Sequence, residues 1–582
     1  MFTAIIMSNM KITPTSLSIS QLLSTESEQF TIPAYQRRYS WQDKQVKELF
    51  DDINHLEGGE THLLGGIVCL TGDHGAGINA LELVDGQQRM TTIMLFLDAI
   101  DDRLRAESND EDAQTISKMV TSKDYTGTKS KKLVLGDLDN KDFARVVDDK
   151  ELDEVINNNL LKARKLIGDL IGKLSSEEFN QFRYKFINQS YIIRLDVAQA
   201  KDAFKLFETI NNRGLSLSPT DIIKNFLLGN ASIISVETLE SVKEDWTKIV
   251  LSLDGIDMDN FFRQNMAGLT GQKVTQTRLI DTFKTYYAQN IEEGETLREE
   301  YEEFSNVEES DNLSKQDLKA FAKTLRLAAD IYRKVQQADF DDEEINRRLI
   351  NLRKIRSVAS YTFILNLMQR KLANNDVLEI LRMIEIFMLR RNVAEYRTSE
   401  LEDIFVALTK LPDENIVNAA KQVFVDNMPT DEEFSARLSN HVFKGQLEAR
   451  AKYMLEYLSY GTLSPSEMVI KSHRAVELEH IMPQTIDTKK SKEELGDWMS
   501  YLGEDAARHG EYITKLGNLT MLGKKLNIVA SNNPFEAKKI EYEKSEITMT
   551  RDLTKYDEWG LLQIDARTEE LTKNATKLWS LV

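Results

Sequence analysis

Among its 582 residues the chain has one cysteine, eight prolines and seven histidines, and no excess of positive charge. The lone thiol, Cys69, excludes an intramolecular disulfide and a cysteine-rich zinc knuckle, since each needs at least two thiols. It lies in the apolar run Gly66-Ile67-Val68-Cys69-Leu70, which marks it as a buried structural thiol rather than a nucleophile. No apolar run approaches the roughly 18 to 20 residues that span a bilayer, and Met1 to Met7 is too short and too poor in flanking positive charge for a signal peptide. A cytoplasmic location is expected. A Gly-x-x-x-x-Gly-Lys-Ser/Thr loop is missing too, which disfavours a P-loop ATPase. The net charge of -20 argues against a protein that coats nucleic acid indiscriminately, because such affinity comes from neutralised phosphates. A local basic groove remains compatible with DNA binding.

What is present is ordinary for a globular chain: 41% apolar and 29% charged residues. The length exceeds what one core serves, so several domains are expected. Residues 12–230 mix β-rich pieces (Phe30 to Ile32, Leu63 to Thr71, Leu81 to Val84, Tyr191 to Leu195) with amphipathic helical stretches such as Val46 to His55 and Thr91 to Arg105. Residues 231–439 read as almost entirely helical, with apolar residues three and four apart in Leu325 to Val335, Ile345 to Gln369 and Val377 to Phe387. Residues 440–582 open with a helix around Leu447 to Tyr460, carry a histidine motif in strand and loop, and close with helices. The expected class is a multidomain α+β protein with a helical middle region. The acidic runs Ile291 to Asp311 and Asp339 to Glu344 read as solvated faces or loops.

The histidine motif is Leu478-Glu479-His480-Ile481-Met482-Pro483-Gln484, followed by Leu516-Gly517-Asn518-Leu519-Thr520 and by Asn527. Proline stops the strand and tightens the loop after it, which would hold the imidazole still. Phosphodiester hydrolysis needs a base for water and a cation for the phosphate, and His480, Glu479 and Asn527 have those capacities. The motif therefore points to a nuclease. Lys515, Lys524, Lys525, Lys538 and Lys539, with Lys471, His473 and Arg474, are candidates for a groove that follows the DNA backbone. His509 has no comparable company and reads as a surface or groove residue.

Two further clusters lie near the N-terminus: Ile32-Pro33-Ala34-Tyr35-Gln36-Arg37-Arg38-Tyr39-Ser40-Trp41, and Leu83-Val84-Asp85-Gly86-Gln87-Gln88-Arg89-Met90-Thr91-Thr92. In the second, strand, glycine turn and helix start present backbone N–H groups and the positive end of a helix dipole to an anion. Arg37, Arg38 and Arg89 add fork-shaped donors suited to phosphate. Asp85 is suited to holding a Mg²⁺-bound water, and Gln87 or Gln88 to orienting an attacking one. A plainer reading fits the same residues: the arginines pair with local acids and the glycine only turns the chain.

The patterns Ile-Pro-x-Tyr-Gln-Arg-x-Tyr-x-Trp and Asp-Gly-Gln-Gln-Arg-x-Thr-Thr resemble the N-terminal signature of the GmrSD-type, modification-dependent (type IV) restriction endonucleases. Phe207-Glu208-Thr209-Ile210-Asn211-Asn212-Arg213-Gly214, followed by Asp221 and Lys224, is a third matching segment. The C-terminal pieces Glu-His-Ile-x-Pro-Gln, Leu-Gly-Asn-Leu-Thr, Asn, and Asn-x-x-Phe-x-x-Lys (Asn532 to Lys538) resemble the HNH nuclease domain of the same family. The resemblance implies a ParB/sulfiredoxin-like nucleotide-binding domain over 12–230 and a ββα-metal nuclease domain over 440–582. It assigns a nucleoside triphosphate to Tyr35, Gln36, Arg37, Arg38, Asp85, Gly86, Gln87, Gln88, Arg89 and Thr91, with Glu208, Asn211 and Arg213 completing the site. In the nuclease domain it makes His480 the general base, Asn518 the residue that holds the histidine loop, and Glu479 with Asn527 the ligands of Mg²⁺ or Mn²⁺. Glu477 is the alternative carboxylate.

The function so implied is a nucleotide-dependent DNA endonuclease of antiphage defence that acts on modified foreign DNA. One metal-histidine centre per chain and two strands to cut make a homodimer the natural inference. Two other classes fit the same residues: a nucleotide-gated DNA-binding regulator with weak or complex-dependent nuclease activity, and an HNH nicking enzyme or RNase toxin.

Overall fold

The computed structural model describes residues 12–75, 77–211, 218–292, 316–463, 475–486 and 498–581. The chain is a mixed α+β protein in two compact units, Met1–Phe262 with Thr275–Asp330, and Arg263–Val274 with Ile331–Val582. The helical middle region is thus shared between the two.

The first unit is built on a mixed sheet of β1 (Ile12–Ser18), β2 (Glu28–Thr31), β3 (His62–Gly75), β4 (Ile78–Asp85), β7 (Leu133–Val134) and β8 (Ser190–Val197), in the order β1-β8-β3-β4-β2-β7. β5 (Thr121–Lys123) and β6 (Lys129–Lys131) form a separate pair. In β4, Leu81 and Leu83 are buried while Glu82 between them is not, the period-two pattern of a strand with one covered face. Phe30 pairs in register with Leu81, and Cys69 is fully buried in this core. Helix α1 (Gln87–Ala106) leaves β4 through Gly86, whose φ is +88°. A Cβ at Gly86 would lie 2.5 Å from Ile67 Cγ2 and 3.2 Å from the Gly66 carbonyl oxygen, so both the backbone conformation and the space call for glycine. Among the other helices of this unit are α2 (Pro219–Ile234) and α3 (Val236–Ser252). Pro219 opens α2 at its first position, where no N–H is needed, and Ser218 caps it by accepting from Asp221 N–H.

In the second unit the apolar spacing of Ile345 to Gln369 does not form one helix. Glu343–Lys354 and Tyr361–Met368 are separate, because Arg356 takes a φ of +60° and Ser357 N–H turns back to Leu352 C=O at 2.9 Å. Both pieces feed the same core, so the spacing runs through the break. The long helix α4 (Asn374–Val393) buries Glu385, which accepts from Arg348 at 3.0 Å, from Asn351 at 3.2 Å and from Tyr453 of helix α5 (Glu448–Tyr460). Next come a hairpin of β9 (Val476–His480) and β10 (Leu519–Gly523), helices α6 (Lys524–Ala530) and α7 (Phe535–Glu543), and the C-terminal α8 (Leu561–Leu578). Among the described residues no helix is long and apolar enough to cross a membrane. The acidic run Ile291 to Asp311 falls largely outside them.

Gly517 sets the approach of the hairpin to α8. A Cβ there would lie 2.2 Å from the Ile564 carbonyl oxygen and 2.8 Å from Thr568 N, while Arg567 of α8 donates to the carbonyls of Gly517 at 2.6 Å and Leu519 at 2.8 Å. Gly517→Ala is therefore expected to cost about 1–3 kcal/mol through overpacking, read as an earlier thermal unfolding transition. Gly523→Ala, with nothing within 4 Å of the new methyl, should stay within about 0.5 kcal/mol of the wild type.

Candidate functional site

β9 and β10 pair antiparallel, with His480 opposite Leu519 and Gly523 opposite Val476. β10 runs directly into α6 at the Val476 end of the pair, and α6 lies against both strands. His480 is the last residue of β9 and is followed by a turn that is held from several sides. Asn518, wholly buried, accepts from Met482 N–H at 2.8 Å and from Trp559 Nε1 at 3.2 Å, and donates to the carbonyls of Met482 at 2.8 Å and Ile513 at 3.0 Å. All of its amide's capacity goes to the loop. His509 is no free surface residue, since its Nε2 donates to the Pro483 carbonyl at 2.8 Å. Gln484, at the end of the motif, places its amide nitrogen 3.1 Å from His480 Nε2, a donor facing a ring lone pair.

Burial, and after it the charge of Lys538, pushes the His480 imidazole down to about 4. It is therefore neutral at pH 7 and able to take a proton.

The two acidic residues of β9 share a strand face but meet different partners. Glu479 is buried, and its Oε1 accepts from Lys538 Nζ at 2.7 Å and Tyr542 OH at 2.8 Å, both on α7. Lys538 also donates to the His480 carbonyl at 2.8 Å. Glu477 is the carboxylate beside Asn527: Asn527 Nδ2 donates to Glu477 Oε2 at 3.0 Å, while Asn527 Oδ1 is buried with no hydrogen-bond partner. Glu479, expected as a metal ligand with Asn527, is thus held in an ion pair with α7, and Glu477, the alternative carboxylate, is the one bonded to Asn527.

The lysines expected to follow DNA divide the same way. Lys538 has no exposed side-chain surface and cannot reach a phosphate. Lys515 pairs with Asp565 at 2.9 Å over the Tyr512 ring, and Lys539 donates to the Tyr556 carbonyl at 3.0 Å. Lys524 and Lys525 are exposed. Lys471, His473 and Arg474 lie outside the described residues.

In the first unit the expected phosphate site also sorts into frame and cleft. Arg38 donates four hydrogen bonds, to both oxygens of Asp254 at 2.7 and 2.9 Å, to Leu138 C=O at 2.7 Å and to Asp139 at 3.0 Å. It ties the chain together and is not available to a phosphate. Gln88 splints the Arg38 to Ser40 segment to α1, accepting from Ser40 N–H at 2.7 Å and donating to Arg38 C=O at 3.2 Å. Tyr35 is buried with its hydroxyl on Glu82 at 2.5 Å, and Thr91 is buried with its hydroxyl on Gln87 C=O at 2.9 Å.

The remaining residues line a cavity of about 140 Å³: Arg37, Asp85, Gly86, Gln87 and Arg89, with Gln36. Arg37 is 48% exposed and, among the described residues, has one loose ion pair, 3.6 Å from Asp221. Arg89 donates to Gly66 C=O at 2.6 Å; burial lowers its pKa and Asp85 partly restores it. Burial raises the Asp85 carboxyl, against the pull of its hydrogen bond from Gly86 N–H and of the Arg89 and Lys224 charges. Gln87 Oε1 is buried and has no partner.

Asp221 and Lys224 line the same cavity. The sequence placed them in a motif but not in the site. Lys224 is buried, donates to Gln36 Oε1, and lies 3.6 Å from Asp221. The signal available was a lysine inside the apolar run Ile222-Ile223-Lys224-Asn225-Phe226-Leu227-Leu228, where a charge needs a reason. Arg213 and the side chains of Glu208 and Asn211 lie outside the described residues.

The family model of the GmrSD restriction endonuclease N-terminal domain matches residues 19–228, and that of the C-terminal domain matches residues 428–574. No curated protein matches the chain. The first match contains Arg37 and the Asp85 turn with Lys224, the second contains the whole histidine hairpin, and together they show that this chain belongs to the GmrSD restriction endonucleases, DNA-cutting enzymes of phage defence.

Proposed function

We propose that the chain is an HNH-type, nucleotide-dependent endonuclease for modified foreign DNA, cutting at His480 and binding a nucleoside triphosphate at the Arg37–Lys224 cleft. The observation that carries the nuclease half is a neutral imidazole in an anchored turn at the end of β9, with the Glu477 carboxylate of the same strand bonded to Asn527 of α6, whose amide oxygen is buried and unpaired among the described residues. His480 takes the proton from the attacking water as general base. At rest the ring lone pair faces the Gln484 amide, so the attacking water takes the place of that donor, while Asn518 and Lys538 keep the loop from moving away from the phosphate.

Glu477 and Asn527 Oδ1 are the oxygen donors for a divalent cation. They fit Mg²⁺ or Mn²⁺, which accept hard oxygen ligands and keep several waters, better than zinc. When bound, such an ion supplies charge stabilisation to the phosphate and the leaving oxygen.

In the first unit, Arg37 and Lys224 supply positive charge, the Gly86 turn supplies the N-terminus of a 20-residue helix, and the unpaired Gln87 oxygen is placed to orient a water. The nucleotide is proposed to govern cutting. That requires nuclease activity on modified DNA to change with nucleoside triphosphate, and identical cleavage with and without every nucleotide would remove this half of the reading.

His480→Ala should lower single-turnover cleavage by about 10²- to 10⁴-fold, the range for loss of a general base, with an unchanged melting curve. Unaltered cutting would remove His480 as the base, and absence of cutting by the wild type as well would transfer the function to a DNA-binding regulator. Because the neutral imidazole is the active form and its pKa is lowered to about 4, the base stays competent as pH falls through 6.5 and is lost only toward pH 4. A half-maximal loss near 6.5 in the single-turnover rate would contradict this. Arg37→Ala, which removes a half-exposed cation with one loose partner, should weaken nucleotide binding about tenfold or more while leaving His480-dependent cutting chemistry in place. Titration calorimetry reads the first effect, and nucleotide-saturated cleavage the second.

A further inference from the structure

A second cavity, of about 250 Å³, adjoins the Asp85 cleft and shares Arg37, Asp221 and Lys224 with it as a common wall. Each alone is smaller than the roughly 300–1,000 Å³ of small-molecule sites, and together they fall within that range. Beyond the shared wall the lining changes character. Trp246 and Val250 of α3 and then Ile256 and Met258 make it largely apolar, and Asp257 and Asp259 stand at its rim. The indole of Trp246 is held flat against Phe262, with ring centres 5.6 Å apart and planes 12° apart, so it is a rigid aromatic wall. All four apolar residues lie past residue 228, where the match to the N-terminal family domain ends.

The combined space is polarised. One end holds Arg37, Lys224, Arg89 and the start of α1, a net positive set although Asp85 and Asp221 stand among them; the other holds apolar side chains beside Ser218 and Thr220, with Asp257 and Asp259 and, among the described residues, no cation. A small molecule with an anionic tail and a flat aromatic head bearing N–H donors matches it in that direction only, since a phosphate at the far end would face Asp257 and Asp259. We infer that the Trp246 chamber receives the base of the nucleoside triphosphate whose phosphates occupy the Arg37–Lys224 cleft, so that the base site comes from helices outside the matched N-terminal domain. This rests on the nucleotide reading given above. Carboxylates accept from N–H groups, and a base beside Val250, Ile256 and Met258 gains burial of its apolar surface.

The test is titration calorimetry on the full chain with ATP, GTP, CTP and UTP, and with inorganic triphosphate as a base-free probe. For the wild type, at least one nucleoside triphosphate should bind tenfold or more tightly than inorganic triphosphate. Filling the chamber by Val250→Trp, or from its other wall by Met258→Trp if the first variant fails to fold, should bring nucleoside triphosphate affinity down to that of inorganic triphosphate. Inorganic triphosphate binding should itself be unchanged, which also shows that the variant is folded. The fluorescence change on nucleotide binding should shrink in Trp246→Phe toward the change that inorganic triphosphate gives through Trp41, which lines the phosphate cleft.

Equal wild-type affinity for nucleoside and inorganic triphosphate would overturn the chamber assignment and leave the nucleotide reading standing. Binding of neither would overturn that reading and this inference with it. Unchanged nucleotide affinity in the filled variants, with discrimination of modified DNA lost, would also overturn it and give the chamber to a DNA base.

Discussion

The contact on which the nuclease site depends is the buried ammonium of Lys538 between the Glu479 carboxylate and the His480 carbonyl. Removing both charges from water costs several kcal/mol per ion, and their attraction offsets this only where the remaining valences are filled. Here Tyr542 adds a donor at 2.8 Å. Loss of either partner would leave an unpaired charge inside the domain, an effect of about 3–5 kcal/mol. That makes the end of β9 a fixed point, and His480 is that end. Because the fixing group is a cation, it also favours the neutral imidazole, adding to the effect of burial. One lysine therefore positions the base and keeps it unprotonated. Its use there commits Glu479, which is why the neighbouring carboxylate two residues earlier faces Asn527.

The same division of labour governs the first unit. Arg37 and Arg38 are adjacent, yet one is half exposed with a single loose partner and the other is locked by Asp254, Asp139 and Leu138. Gln87 and Gln88 differ likewise: one has an unpaired buried oxygen, and the other bridges α1 to the Arg38 segment. Successive side chains point in different directions from a turn or helix start, so a contiguous motif holds cleft residues and frame residues together. The Asp85 turn can present Gln87 only because Gln88 and Arg38 keep its surroundings in place.

Much of this was legible in the sequence, and the remainder was not for identifiable reasons. Strands at Leu63 to Thr71 and Leu81 to Val84, the helix after Asp85, and the strand that carries the histidine motif into its loop follow from hydrophobic period, glycine and proline. These are local signals, and the structure places strands and helices there. The break after Lys354 was hidden because the two helices feed one core and keep one apolar spacing across it. Which of Glu477 and Glu479 is free, and whether Lys538 faces solvent or protein, is decided by α7, more than 50 residues further on. Periodicity along one strand carries no record of that partner. Asp221 and Lys224 escaped for the opposite reason: they stand in an apolar helix, where burial rather than spacing shows that the lysine has a task.

The charge distribution bears on how such an enzyme discriminates. The chain carries a net charge of -20, and of the six lysines expected to follow DNA, Lys471 lies outside the described residues, three are bound to protein groups, and Lys524 and Lys525 are exposed. Lys524 itself lies 3.9 Å from Glu477. Non-specific affinity grows with the number of phosphates neutralised, and so does its salt dependence. With few free cations at the hairpin, attraction for an arbitrary duplex is weak. Net repulsion at longer range lowers it further, more so at low salt. Productive engagement then has to draw its free energy from contacts that an ordinary duplex does not offer. In the proposed function those contacts are a DNA modification and a nucleotide-dependent state, so weak general attraction is the condition under which either can control cutting.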